Sequence, residues 1–192
     1  MRTHTALLSS YKKDEPLLRL ARLLADHKWN LLASAGTSVY LKEKMIECRD
    51  VGEIVGSPIL GHRVVTLSRE LYAGLLASTE EDFEELEKLG IPRIDLVYVT
   101  LYPLEEAVQK KESPDEIIEK TDIGGPTLLR AAAKGRRLTL SRPEQIDILV
   151  KWLEAGSREE ERREIVMQFA AAAERRVADY VVTSANYWER NV

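Results

Sequence analysis

The sequence holds a single cysteine, Cys48, so no disulfide forms within the chain, and its three histidines, His4, His27 and His62, have no spacing that joins that thiol in a zinc site. A reducing compartment and no structural metal are expected. Neither GxxxxGK[ST] nor GxGxxG occurs, which argues against a P-loop nucleotidase and against a dinucleotide-binding fingerprint. No run approaches the roughly 20 apolar residues of a membrane span. Met1–Ser10 has one arginine followed by too short an apolar stretch for a secretory signal, so the expected location is cytoplasmic. A basic excess is missing too: 28 Lys and Arg against 32 Asp and Glu leave a net charge of −4, which excludes binding dominated by a nucleic-acid backbone. Arg136, Arg137 and Arg142 make one local positive patch, better suited to a small anion. Repeats and low-complexity linkers are also lacking.

What is present suits a globular domain: 192 residues, 44% hydrophobic and 31% charged. Ala6–Leu8 is a short apolar run, Leu17 to Ala25 has helical spacing, and Leu31–Ala33 is a second run, which together predict a β-α-β opening. Val39 to Met45 reads as helix, Ile46–Cys48 as a brief strand and Gly52 to Gly61 as a loop. Arg63–Leu67 is extended in character, and helices are predicted over Glu70–Ala77 and Glu80–Leu89. Ile94–Leu101 is β-branched and nearly all apolar, as in a strand of a parallel sheet buried on both faces, and it stops at Tyr102-Pro103. Arg137–Leu140 reads as a last strand and Pro143 to Ala155 as a helix. Glu159 to Val182 is a charged helical tail with Ile165, Phe169, Ala172, Val177 and Tyr180 as its packing positions. The expectation is one α/β domain over residues 1–192, with a parallel-sheet core to residue 140 and a helical C-terminal extension over 141–192.

Two segments carry chemistry. In Thr121–Lys134, TDIGGPTLLRAAAK, Gly124 and Gly125 open a helix whose first N–H groups lack partners, with Asp122 just outside and Lys134 at the far end. Asp122 reads either as a helix cap or as the acid of a site. In Ser34-Ala35-Gly36-Thr37, hydroxyls and backbone N–H groups meet at another helix start, where an anion is favoured. Ser9 to Lys13 ends the neighbouring strand in the same way, and Arg63 and Thr66 add a guanidinium and a hydroxyl from a third loop. Together they describe a phosphate cradle without a P-loop.

The segments ALLSSYKKDEPLLRLA, LLASAGTSVYL, IDLVYVTLYPLEEAV and IEKTDIGGPTLLRAAAK, in this order, resemble the inosine monophosphate cyclohydrolase domain of the bifunctional purine-biosynthesis enzyme that also holds a transformylase. The resemblance runs from about Thr5 to Lys134, with a weaker helical tail. It implies a methylglyoxal-synthase-like three-layer α/β fold and a homodimer. It also implies closure of 5-formamidoimidazole-4-carboxamide ribonucleotide to inosine monophosphate with loss of water, needing neither metal nor organic cofactor. A purine ribonucleotide would be the ligand and a separate transformylase a partner in supply, with no nucleic acid or membrane involved. Carried over by position, Asp122 would take the amide proton, Lys134 would stabilise or protonate the former formyl oxygen, and Tyr102 would donate to it or fix the ring. Ile123, Gly124 and Gly125 would bind the base edge or carboxamide. The phosphate would lie on Ser34, Ala35, Gly36 and Thr37, with Ser9, Lys13, Arg63 and Thr66 around it; Thr100 and Leu101 fall in the strand end beside Tyr102.

The chain departs from the family pattern at definite places. Where the family reads RVKTLHPxxHGG, this sequence has Val65 for the lysine and Ser68 and Tyr72 for two histidines. Thr100 stands for the asparagine before LYP, KNH becomes Lys134-Gly135-Arg136, and the HTAxYD pattern is not recognisable around Phe169 to Tyr180. Valine neither carries charge nor moves a proton; Arg69 and Arg136 are the nearby arginines able to replace the charge alone. Two alternatives stand beside the cyclohydrolase: a purine-nucleotide sensor or regulatory subunit that has shed turnover, and a different lyase on the same fold.

Overall fold

The computed structural model describes residues 4–61 and 63–190, so the expectation about His62 lies outside the described residues. In chain order the elements are β1 (Thr5–Ser10), α1 (Glu15–Asp26), β2 (Asn30–Ala33), α2 (Ala35–Glu43), β3 (Arg49–Asp50), α3 (Gly52–Val55), α4 (Arg69–Leu76) and α5 (Glu80–Lys88). They continue with β4 (Leu96–Thr100), α6 (Leu104–Gln109), α7 (Pro114–Glu119), α8 (Gly124–Lys134), β5 (Leu138–Leu140), α9 (Gln145–Glu154) and α10 (Glu159–Glu189).

The five strands form one sheet in the order β3-β2-β1-β4-β5, every pairing parallel. Alternation along the central strands divides the core. Ala6 and Leu8 of β1 and Leu96 and Tyr98 of β4 face a layer in which α1 and α9 place Leu17, Leu20, Leu24, Leu149 and Trp152. Leu7, Val97 and Val99 face the opposite layer, where α4 and α8 place Leu71, Leu75, Leu128 and Leu129. Both faces are covered, as an all-parallel sheet requires. The result is a three-layer α/β domain with a helical C-terminal extension. Helix α10 crosses the β5 edge, giving Phe169 to the first layer and Ala173, Val177 and Tyr180 to the second, so that the open edge is covered. No helix among the described residues is long and apolar enough to cross a membrane.

Local chemistry sets the element ends. The Asp14 carboxylate accepts from the Leu17 N–H at 3.3 Å and Pro16 sits in the first turn, so α1 starts where its apolar stripe does. The brief strand expected at Ile46–Cys48 is instead Arg49–Asp50: Met45 takes a left-handed turn (φ 58°) after α2, and the chain reaches register with β2 only where Arg49 pairs Leu32. The Gly52–Gly61 loop begins with α3, started by the Asp50 carboxylate accepting from Gly52 N–H at 2.7 Å. Arg63–Leu67 is not a strand. Leu60 and Gly61, at φ 55° and 74°, reverse the chain so that only Val64 pairs, antiparallel, with Ile59. Helices α6 and α7 occupy a stretch for which the sequence reading predicts no element, and α10 extends seven residues beyond Val182. Arg137, expected in a positive patch, is buried and donates through Nε to the Leu75 carbonyl at 2.7 Å, serving the C-terminal end of α4.

Candidate functional site

The strand order reverses between β1 and β4, and their C-terminal ends meet at the pair Ser10–Thr100. In an open parallel sheet this switch point leaves a crevice, because the following connections depart in opposite directions. A cavity of about 450 Å³ opens there.

One end of the cavity suits an anion. Its wall is the first turn of α2, Ala35, Gly36 and Thr37, preceded by Ser34, and no side chain among the described residues caps those N–H groups. The Thr37 hydroxyl is committed elsewhere: it accepts from Ser10 N–H at 3.1 Å and from Ser34 Oγ at 3.1 Å, tying α2 to β1. That leaves the backbone N–H groups to meet an anion, since the Ser34 hydroxyl gives its one proton to Thr37. The Lys13 ammonium lies beside Gly36, 4.0 Å from where a Cβ would stand there, and donates to the Ser10 carbonyl. Burial draws its pKa below the ordinary lysine value, with Asp14 acting in the opposite direction. Arg63 reaches the cavity from the reversed loop and pairs with Glu119 at 3.8 Å.

The other end holds the acid. Asp122 Oδ1 accepts from Gly125 N–H at 2.9 Å, so the carboxylate caps α8 while lining the cavity. Burial raises its pKa above the usual carboxylate value; the backbone N–H groups of Gly125, Tyr102 and Gly124 oppose that rise without cancelling it. The two glycines are required by space. A Cβ on Gly125 would stand 2.4 Å from Asp122 Oδ2 and 2.7 Å from Leu101 Cδ2, and one on Gly124 would stand 2.7 Å from Thr66 Oγ1. Tyr102 follows β4 and packs its ring on Tyr11, centroids 4.9 Å apart. Burial, then the negative charge of Asp122, raises the Tyr102 pKa, so its hydroxyl stays protonated and available as a donor. Thr100 joins the two ends: its Oγ1 lies 2.7 Å from Ser10 Oγ and accepts from Tyr11 N–H at 2.8 Å, fixing the loop that carries Tyr11 and Lys13.

Ser9, Lys13, Ser34, Ala35, Gly36, Thr37, Arg63, Thr66, Thr100, Tyr102, Asp122, Ile123, Gly124 and Gly125 therefore border one space. Leu101 does not; it is buried under Gly125 and supports the wall. Lys134 is also apart. It is exposed at the opposite end of α8, about 15 Å from Gly124 at 1.5 Å per residue, so one chain offers no direct proton exchange between it and Asp122. Neither Arg69 nor Arg136 lines the cavity, and at position 65 the wall is the valine side chain. Tyr11 and Glu119 are lining residues that the sequence reading did not single out. Tyr11 lies inside the Ser9–Lys13 segment and was findable by position, whereas Glu119 carries no local signal among the many acids of its helix. Tyr180, read as a packing position, also binds the Asp122 loop through its hydroxyl.

Comparison with known proteins agrees with this architecture. Residues 16–127 match the MGS-like domain, more than half of the 192 residues. The bifunctional purine biosynthesis protein PurH of Aquifex aeolicus (strain VF5) is 41% identical over 157 residues, covering 79% of this chain and 31% of that protein. The PurH of Clostridium perfringens (strain SM101 / Type A) is 46% identical over 132 residues, 67% of this chain and 26% of that one. This chain thus spans a third or less of the curated relatives it matches. The crystal structure of ForH superposes with a TM-score of 0.80 at 33% identity, covering 96% of this chain and 98% of ForH, so the likeness includes the tail helix. By its sequence over residues 16–127 and its three-layer parallel sheet, this chain belongs to the MGS-like domain family.

Proposed function

We propose that the chain is an inosine monophosphate cyclohydrolase, closing 5-formamidoimidazole-4-carboxamide ribonucleotide to inosine monophosphate and water. The observation that carries the proposal is that one cavity holds both an anion-binding end at α2, Lys13 and Arg63 and an acid end at Asp122 and Tyr102. Kinship with bifunctional purine biosynthesis proteins supports the choice of a purine ribonucleotide.

In the reaction the carboxamide nitrogen attacks the formyl carbon of the same molecule. A C–N bond forms as the carboxamide nitrogen loses one proton and the formyl oxygen gains one; the formamido nitrogen then gives up its N–H proton and the hydroxyl takes a second proton to leave as water while the C=N bond is made. Because both reacting groups belong to one substrate, positioning supplies most of the rate. Asp122, as carboxylate, accepts the nitrogen's proton; its raised pKa strengthens it as a base near neutrality. The Tyr102 hydroxyl donates to the oxygen. The N–H groups and small surface of Gly124 and Gly125 let the base edge approach the backbone. Lys134 in this reading complements the C-terminal end of the α8 dipole.

One observation favours a second reading, a nucleotide sensor. The lining cations among the described residues, Lys13 and Arg63, both belong to the anion end or its rim, and Val65 adds none beside Asp122. The discriminating experiment combines calorimetry with inosine monophosphate and absorbance on the formylated ribonucleotide. Turnover above the spontaneous rate supports the enzyme, and binding with no turnover supports the sensor.

A further inference from the structure

We infer that Tyr180, on the tail helix α10, is a positioning residue for Asp122. The inference rests on the reading of Asp122 as the base. The Tyr180 hydroxyl sits between two backbone groups of the loop joining α7 to α8: it donates to the Lys120 carbonyl at 2.8 Å and accepts from the Asp122 N–H at 2.8 Å. One oxygen thereby holds both ends of the Lys120–Asp122 turn. The ring is buried, and burial pushes the phenol's pKa up to about 12, so the donor function persists across the working pH range.

The turn needs such a clamp. Residues 121 and 122 lie between two helices, outside any ladder, and the Asp122 N–H would otherwise be a partly buried donor without a partner. The remaining ties act upstream. The Thr121 hydroxyl donates to the Ile117 carbonyl at 3.1 Å, and Lys120 pairs with Glu112, so both anchor the end of α7. Asp122 itself is held at its backbone by Tyr180 and at its carboxylate by the start of α8. If the backbone end is free to shift, the carboxylate shifts with it.

Tyr180 is delivered from outside the matched region, which ends at residue 127. Ala173 and Val177 pack α10 into the α8 layer, and Arg130 pairs with Glu174 at 3.2 Å, so the helix is seated by contacts other than the hydroxyl. The Arg176 guanidinium stands 6.0 Å from the Tyr180 ring centroid and is the charged neighbour on α10 itself. The tail helix therefore covers the β5 edge and also sets the geometry of the acid.

The test is Tyr180→Phe, which removes the oxygen and leaves the ring. A displaced base lowers kcat by about tenfold to a hundredfold with little change in KM or in the affinity for inosine monophosphate. Val166→Ala, about four turns earlier on the same helix and packed in the other layer, serves as the control: it lowers the melting temperature and leaves kcat unchanged. Exchange of the Asp122 amide proton, measured by NMR, accelerates at least tenfold in Tyr180→Phe while the amides of α10 keep their protection. Unchanged kcat in Tyr180→Phe, or a loss shared equally by Val166→Ala, overturns the inference. If the wild-type chain does not turn over the formylated ribonucleotide, the cyclohydrolase reading fails and amide exchange alone decides the clamp: no acceleration at Asp122 overturns it, and acceleration confined to that loop upholds it.

Discussion

Gly125→Ala places a single methyl group against the proposed base and leaves every polar group of the site in the sequence. The backbone of Gly125 is helical, so alanine brings no conformational strain, and the effect comes from space alone. The new Cβ would stand 2.4 Å from Asp122 Oδ2 and 2.7 Å from Leu101 Cδ2, where ordinary contact needs 3.4 Å or more. The carboxylate must then retreat by about 1 Å, and a misplacement of that size costs on the order of a hundredfold in rate. Leu101 must give as well, and overpacking of this kind costs about 1–3 kcal/mol. For a chain of this length each kcal/mol lowers Tm by about 2–4 °C. Absorbance on the formylated ribonucleotide reads kcat, thermal unfolding reads stability, and calorimetry with inorganic phosphate reads the anion end, which the methyl does not reach. A variant that loses a few degrees of Tm and keeps full kcat would refute the placement of Asp122 at the reacting atoms.

Other expectations follow from the same geometry. Lys13→Met removes a charge-assisted contact worth about 1.5–3 kcal/mol, so calorimetry should show roughly tenfold to hundredfold weaker binding of inosine monophosphate, by an amount that shrinks as salt is raised. Val65→Lys places a cation on the wall where none stands, and kcat should rise by about the worth of one assisting group, tenfold to a hundredfold; no gain with the fold intact would mean that the pocket achieves its chemistry differently. The rate should climb with pH through the pKa of Asp122, on a limb shifted upward from that of an ordinary aspartate by burial, and Asp122→Asn should abolish that limb. Burial makes this carboxyl harder to ionise in the folded chain than in the unfolded one, so stability falls as pH rises through its folded pKa. Asp122→Asn should accordingly be more stable than wild type at neutral pH, with the difference vanishing in acid.

The parts of the candidate site that are local were legible in the sequence as helix starts that line the cavity. Ser34–Thr37 and Asp122–Gly125 each combine a helix start with small or polar residues, and a helix start is visible in a few consecutive positions. The central strands were visible because burial on both faces leaves a run of apolar residues, as in Leu96–Val99. What was hidden depends on distance in space. Lys134 lies close to Asp122 in sequence, but the rise of α8 carries it away from the cavity. Tyr180 is 58 residues from Asp122, and its aromatic ring at a helical packing position gives no sign of what its hydroxyl touches. The strand at Arg49–Asp50 has polar residues because it is a two-residue edge pairing, fixed by the turn at Met45 more than by its own propensity. Helices α6 and α7 are six residues each, too short for periodicity to separate them from a polar loop, although the Ser113–Glu116 capping box marks the start of α7.

The most direct measurement is the rate at which the purified chain converts 5-formamidoimidazole-4-carboxamide ribonucleotide to inosine monophosphate, followed by absorbance beside Asp122→Asn. The expected result is turnover well above the spontaneous rate, lost in the variant while inosine monophosphate still binds. A wild-type rate equal to the spontaneous one, or one that Asp122→Asn leaves intact, would contradict the cyclohydrolase assignment.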